Sequence, residues 1–120
     1  MRRKHHELDA WKVAIELVKE VYALSTSFPP HEAFGLTAQL RRSAISIPSN
    51  IAEGSARLTD REFVHFLGIA RGSLSELETQ LTIATELGYL VAVRIPQQLL
   101  DRLFALLSGL INHLRSRENP

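Results

Sequence analysis

Apolar residues recur at spacings of three and four along nearly the whole chain, the signature of helices with one buried face. From about Leu8 to Thr26, the residues Trp11, Ala14, Ile15, Val18, Val21 and Tyr22 form one stripe, with Lys12, Glu16, Lys19 and Glu20 on the opposite side. Phe28-Pro29-Pro30 ends this helix, because proline has no amide donor and restrains the residue before it. A second helix is expected from about His31 to Gly54, with Ala33, Leu36, Leu40, Ala44, Ile47 and Ile51 on its stripe and Phe34, Thr37 and Ile45 flanking. Pro48 lies inside it and removes the bond to the carbonyl of Ala44, so a kink is expected there, with a complete break as the alternative.

Thr59-Asp60-Arg61-Glu62 reads as a capping box, in which the Thr59 hydroxyl and the Glu62 carboxylate each satisfy a free amide at the start of a third helix. Its stripe is Phe63, Phe66, Leu67, Ala70, Leu74, Leu77, Leu81 and Ala84, and Gly88 is placed to take the left-handed geometry that ends a helix. Gly68 and Gly72 each cost about 1 kcal/mol of helix propensity relative to alanine, which suggests close approach by a neighbouring helix. A fourth helix opens at Pro96 and runs through Leu99, Leu100, Leu103, Leu106, Leu107, Leu110, Ile111 and Leu114. Arg115 and Arg117 meet its dipole at the C-terminal end, and fraying is expected from Ser116 to Pro120. Val91-Ala92-Val93 is the only strand-like stretch and is too short to pair. The pattern predicts an all-α, antiparallel up-and-down four-helix bundle with a proline kink in helix 2, in one domain spanning 1–120 with its core at about 8–115.

Composition narrows the chemistry. The 120 residues include no cysteine, which excludes disulfides, thiolate metal sites and a cysteine nucleophile, and fits a reducing cytoplasm. No apolar run approaches the ~18–20 residues needed to cross a bilayer, and the basic start has no signal-peptide apolar stretch behind it. A cytoplasmic protein with no membrane partner is expected. The net charge of +1 does not by itself demand a nucleic-acid partner.

Bundles can hold a di-iron centre on paired Glu-x-x-His motifs. Glu62-Phe63-Val64-His65 is one such pair, but no other histidine follows a glutamate by three residues, and Glu62 already belongs to the capping box. Arg61 and His65 are too close together for the arginine–histidine arrangement of helical nucleases, and read as a solvated pair at a helix N-terminus. There is no nucleophile elbow, P-loop or dinucleotide fingerprint. The expectation is a protein that is not an enzyme and holds no metal or cofactor.

The unusual stretch runs from Ser46 to Ser55 and places a proline, an asparagine and a glutamate beside an apolar face, opposite Gly72 to Glu78 of the antiparallel third helix. Asn50, Glu53, Ser73 and Glu76 are expected to form a polar network that sets helix register; the alternative is that they face a ligand or another subunit. Basic residues cluster as Arg2, Arg3 and Lys4 at the N-terminus, as Arg41-Arg42 in helix 2, and as Arg57, Arg61 and Arg71 around the second turn and helix 3. Such clusters gain phosphate affinity only when many charges are presented together, as in an oligomer.

The run from Arg41 to Gly54, containing Ile47-Pro48-Ser49-Asn50-Ile51-Ala52-Glu53-Gly54, is followed by Glu62-Phe63, Phe66-Leu67, Ala70 to Leu81 and Leu87-Gly88-Tyr89-Leu90. These residues resemble the four helix bundle protein family, also called the ribosomal-RNA intervening-sequence protein family, from about Leu8 to Leu114. The resemblance implies a homopentamer of bundles forming a tapered barrel around a channel. Some members are encoded within intervening sequences of large-subunit ribosomal RNA genes. A related group, the accessory variability proteins of diversity-generating retroelements, binds nucleic acid and reverse transcriptase through a strongly basic barrel, and the charge of +1 here is well below that. The expected function is a homo-oligomeric scaffold that binds RNA or DNA phosphates, without base readout, through Arg2, Arg3, Lys4, Arg41, Arg42 and Arg57. The alternative is a protein-binding adaptor with no nucleic-acid role.

Overall fold

The computed structural model describes residues 3–118, so Arg2 lies outside the described residues. Four α-helices follow in chain order: α1 (Asp9–Ser25), α2 (Leu36–Ser55), α3 (Asp60–Glu86) and α4 (Gln97–Glu118). Short 3-10 turns at Lys4–Glu7, Pro30–Glu32 and Ala92–Arg94 precede α1, α2 and α4. Each helix packs against its chain neighbours, α1 closes the ring against α4, and α2 and α3 are the most closely packed pair. The result is an all-α, four-helix up-and-down bundle measuring 51 × 27 × 19 Å. Its core is aliphatic, with Leu17, Leu40, Ile47, Ile51, Leu67, Leu74, Leu77, Leu81, Leu100, Leu103 and Leu107 wholly buried.

Helix α2 passes through Pro48 as one continuous element, which excludes the complete break. The two side chains just after the interruption bond backward past it: the Ser49 hydroxyl donates to the Ile45 carbonyl at 2.8 Å, and Asn50 Nδ2 to the Ser46 carbonyl at 2.8 Å. Such back-bonding favours a bent helix. The start of α2 corrects the sequence reading. It begins at Leu36 and not near His31, because Pro30–Glu32 forms a 3-10 turn and Phe34 is 98% exposed, outside the apolar stripe. Glu32 makes this start. Its Oε1 accepts the Leu36 amide at 3.0 Å and its Oε2 accepts the Tyr89 hydroxyl at 3.0 Å, so one carboxylate joins the beginning of α2 to the end of α3. The Leu36 amide first, and then Tyr89 and nearby His31, hold the Glu32 carboxyl below its ordinary 4.5. The same carboxylate raises the Tyr89 phenol above its ordinary 10.0.

At the start of α3, the Glu62 amide donates to Thr59 Oγ1 at 3.1 Å, which is the first half of the expected capping box. No hydrogen bond of the Glu62 carboxylate occurs among the described residues. At the other end, Gly88 has φ +81°. The Gly88 amide bonds the Thr85 carbonyl at 3.0 Å and the Tyr89 amide bonds the Ala84 carbonyl at 2.9 Å, the paired bonds of a Schellman cap. This cap turns Tyr89 back toward Glu32. Val91-Ala92-Val93 makes no strand, since Ala92–Arg94 is a 3-10 turn. Helix α4 continues to Glu118, past the expected fraying point, and Arg117 Nε reaches Asp60 Oδ2 at 3.2 Å across the end of the bundle.

The close helix approach is at Gly54, not at Gly68 or Gly72. A Cβ on Gly54 would lie 2.8 Å from Phe66 Cβ and 2.9 Å from Phe63 Cδ1, whereas at Gly68 and Gly72 it would meet nothing within 4 Å. Both α3 glycines lie on the exposed face.

These contacts set opposite expectations for similar substitutions. Gly54→Ala should destabilise the protein by about 1–3 kcal/mol through overpacking. Gly68→Ala and Gly72→Ala should each stabilise it by about 0.5–1 kcal/mol through helix propensity. Urea unfolding measures both, and equal effects at the three glycines would contradict the packing described. For Glu32, the lowered folded pKa means its stabilisation is complete above the ordinary glutamate value and is lost as pH falls through the lowered one. Glu32→Gln should therefore reduce stability at neutral pH and flatten the acid limb of the urea midpoint plotted against pH. An unchanged acid limb would refute the capping role.

Candidate nucleic-acid interface

Because α2 is continuous, it carries Arg41, Arg42, Asn50 and Glu53 on one rod, with Arg42 and Glu53 about 16 Å apart along its axis, and Arg57 follows two residues past its end at Ser55. The structure assigns these residues different environments. Arg41 turns toward α1: its Nε donates to Ser25 Oγ at 2.9 Å, its Nη2 to the Tyr22 carbonyl at 3.4 Å, and its guanidinium lies 4.5 Å from the Tyr22 ring centroid. A cation at the C-terminal carbonyls of α1 is favourably placed against the helix dipole. Arg41 is thus a clamp between α1 and α2. Arg42 is exposed and has no hydrogen bond or ion pair among the described residues.

Arg42 borders a cleft of about 440 Å³ between α2 and α3, lined also by Gln39, Ser43, Glu76, Thr79, Gln80 and Ile83. Within it the Ser43 hydroxyl donates to Glu76 Oε1 at 2.7 Å. One turn further on, the Ser46 and Ser73 hydroxyls share a hydrogen bond of 2.9 Å, and Asn50 Nδ2 adds a 3.0 Å bond to Ser46 Oγ. The expected polar network is therefore a ladder across the α2–α3 seam, with Ser43 and Ser46 supplying the links from α2. Glu53 stands outside it and pairs with Arg57 on the surface at 2.9 Å. Gln80 is 8% exposed, and its Oε1 is buried with no donor among the described residues.

Arg57 lies where α2 turns into α3. Its guanidinium sits 4.7 Å from the Phe66 ring centroid while Nη2 holds Glu53, and Arg57, Arg61, Glu62, His65 and Phe66 line a cleft of about 330 Å³. Lys4 is exposed on the 3-10 turn that packs against α1 and α2. Arg71 goes elsewhere, its Nη1 donating to Ser108 Oγ on α4 at 3.3 Å. The fold thus separates Arg41 and Arg71 from the basic surface and adds His65 and Phe66 beside Arg57 and Arg61. Periodicity placed Phe66 on the core stripe. Its contact with Arg57 carries no local signal, because Arg57 reaches it across the α2–α3 turn.

A family model described as 23S rRNA-intervening sequence protein matches residues 6–110. The chain belongs to that family. The stretch matched to the intervening-sequence protein model takes in Arg41, Arg42, Arg57, the whole polar ladder and the cleft around Phe66, while Arg2, Arg3 and Lys4 precede it. Comparison with curated proteins finds no match. Among the described residues, no helix is long and apolar enough to cross a membrane, and no three histidine or carboxylate side chains converge to hold a metal ion.

The orphaned Gln80 carbonyl gives a direct test of the seam. A buried polar atom without a partner costs about 1–3 kcal/mol. Gln80→Met should therefore raise stability by about 1 kcal/mol, and the unfolding temperature by about 3–6 °C. A fall in stability would mean that Gln80 has a partner within the folded protein.

Proposed function

We propose that this intervening-sequence protein is a non-enzymatic, cytoplasmic scaffold that assembles as a homopentamer and binds RNA or DNA by its phosphate backbone. The observation that carries this reading is the gathering of exposed basic side chains at one end of the bundle. There Lys4 on the N-terminal turn, Arg57 at the end of α2 and Arg61 at the start of α3 come from separate parts of the chain. Arg42 extends the basic surface along α2, and Arg2 and Arg3 belong to the same proposal as the N-terminal arm. One copy presents few charges, so the phosphate affinity depends on repeating them around an assembly axis.

Support for assembly comes from an apolar groove of about 390 Å³ on the α1–α2 face, lined by Trp11, Ile15, Val18, Ile45, Pro48, Ser49 and Ala52. Ile45 at 43% and Tyr22 at 39% are large apolar side chains left open to solvent on these two helices. Support for a non-enzymatic role comes from Glu62 and His65. They line a surface cleft with Arg57 and Arg61, whereas a bundle metal centre requires its ligands to project inward. The apolar groove also favours a second reading, a protein-binding adaptor without a nucleic-acid role.

Fluorescence anisotropy with a labelled RNA should show affinity falling by orders of magnitude between about 50 and 200 mM salt. Arg42→Ala and Lys4→Ala should each reduce the slope of the log–log salt plot by about 1. Light scattering should report the pentamer, and the Ile15→Glu, Ile45→Glu double variant should be a folded monomer. Salt-independent binding would remove the nucleic-acid reading. Capture of a protein partner from nuclease-treated lysate, by a chain that binds no RNA or DNA at low salt, would replace it with the adaptor.

A further inference from the structure

We propose that the cleft at the α2–α3 turn holds an unpaired nucleobase, so that the protein prefers single strands to duplex. This rests on the nucleic-acid reading above and adds the recognition of a base to the binding of phosphates. The geometry begins at Gly54, whose missing Cβ lets Phe66 lie against α2. That contact brings the Phe66 ring beneath Arg57, with the guanidinium 4.7 Å from the ring centroid. Glu53, one turn earlier on α2, bonds Arg57 Nη2 at 2.9 Å and restrains the guanidinium in place. The Arg57 side chain remains 42% exposed. A guanidinium held over an aromatic ring keeps its outer planar face open, and unpaired bases stack on such arginine planes.

The cleft suits the edge of a base as well as a phosphate. Beside Arg57 and Arg61 the cleft is lined by the Glu62 carboxylate and His65, and Glu53 holds Arg57 from outside it. The lining offers donors and acceptors together, which suits the edge of a neutral heterocycle. Among the described residues Arg61 has no hydrogen bond or ion pair, and His65 has an edge contact with Phe66, at 5.4 Å between ring centroids and 78° between planes. Both remain able to donate to a base edge or an adjoining phosphate. A duplex keeps its bases stacked on one another and offers this cleft only its phosphates, so the platform discriminates by strandedness.

The experiment compares three labelled ligands of equal length at low salt: a single-stranded oligonucleotide, its abasic analogue with the same phosphates, and a blunt duplex. The intact chain should bind the base-bearing strand about tenfold more tightly than the abasic one, within the range for one stacked base. Arg57→Lys keeps the charge and removes the plane, and it should abolish that preference while leaving the salt slope unchanged. Phe66→Leu should do the same, and circular dichroism checks that it folds. Equal binding of the base-bearing and abasic strands, or an undiminished preference in Arg57→Lys, would overturn the base site while leaving phosphate binding standing. Failure to bind all three ligands would overturn the phosphate reading and the base site with it.

Discussion

The contact between Gly54 and the two phenylalanines of α3 is the constraint that organises this molecule. With no Cβ at that position, the last turn of α2 meets the first turns of α3 at van der Waals range, and the two helices form the closest pair in the bundle. Above that contact, Asn50, Ser46 and Ser73, and then Ser43 and Glu76, bond across or along the same seam. A hydrogen-bond ladder is directional where aliphatic packing is not, so it sets register, whereas leucines elsewhere in the core set only depth. The seam also delivers Arg57 onto Phe66. The packing device and the candidate recognition surface are therefore the same piece of structure.

The helix ends are tied together by single side chains that act at two places. Glu32 accepts the first amide of α2 and the hydroxyl of Tyr89 just past α3, and the Gly88 cap aims Tyr89 at it. Arg41 does the equivalent for α1 and α2, and Arg117 with Asp60 for α4 and α3. Glu32 and Arg41 use a charge to satisfy backbone groups that a helix end leaves open, whereas Arg117 and Asp60 pair side chain to side chain. Two arginines of the sequence's basic clusters, Arg41 and Arg71, are thus committed within the fold. The basic surface that remains, chiefly Lys4, Arg42, Arg57 and Arg61, is smaller than the clusters suggest and gains strength only through repetition in an assembly.

Much of this was legible in the chain. Apolar periodicity located all four helices, since burying a stripe on a 3.6-residue repeat leaves the same mark whatever the partner helix is. Thr59 and Gly88 marked the ends of α3 because capping is local chemistry. What was misread depends on side chains that meet through space. Ala33 looked like part of a stripe with Phe34 on its flank, and only the Glu32 cap moves the start of α2 beyond both. Gly68 and Gly72 looked like contact points because helix propensity penalises any glycine, but the penalty does not say what faces it. Glu53 looked like a partner of Asn50, and the helix's rotation places it on the surface beside Arg57.

The division between the two sources of information has a physical origin. Periodicity, capping and proline restraint act within a few residues, so the sequence alone determined an all-α bundle of four amphipathic helices and the positions of most of their ends. Which arginine clamps a helix and which stays free, which glycine admits a neighbour, and how Phe66 comes to lie beneath Arg57 depend on distances between residues far apart in the chain. Those distances exist only once α2 and α3 are packed together, and so the tertiary structure alone decided them.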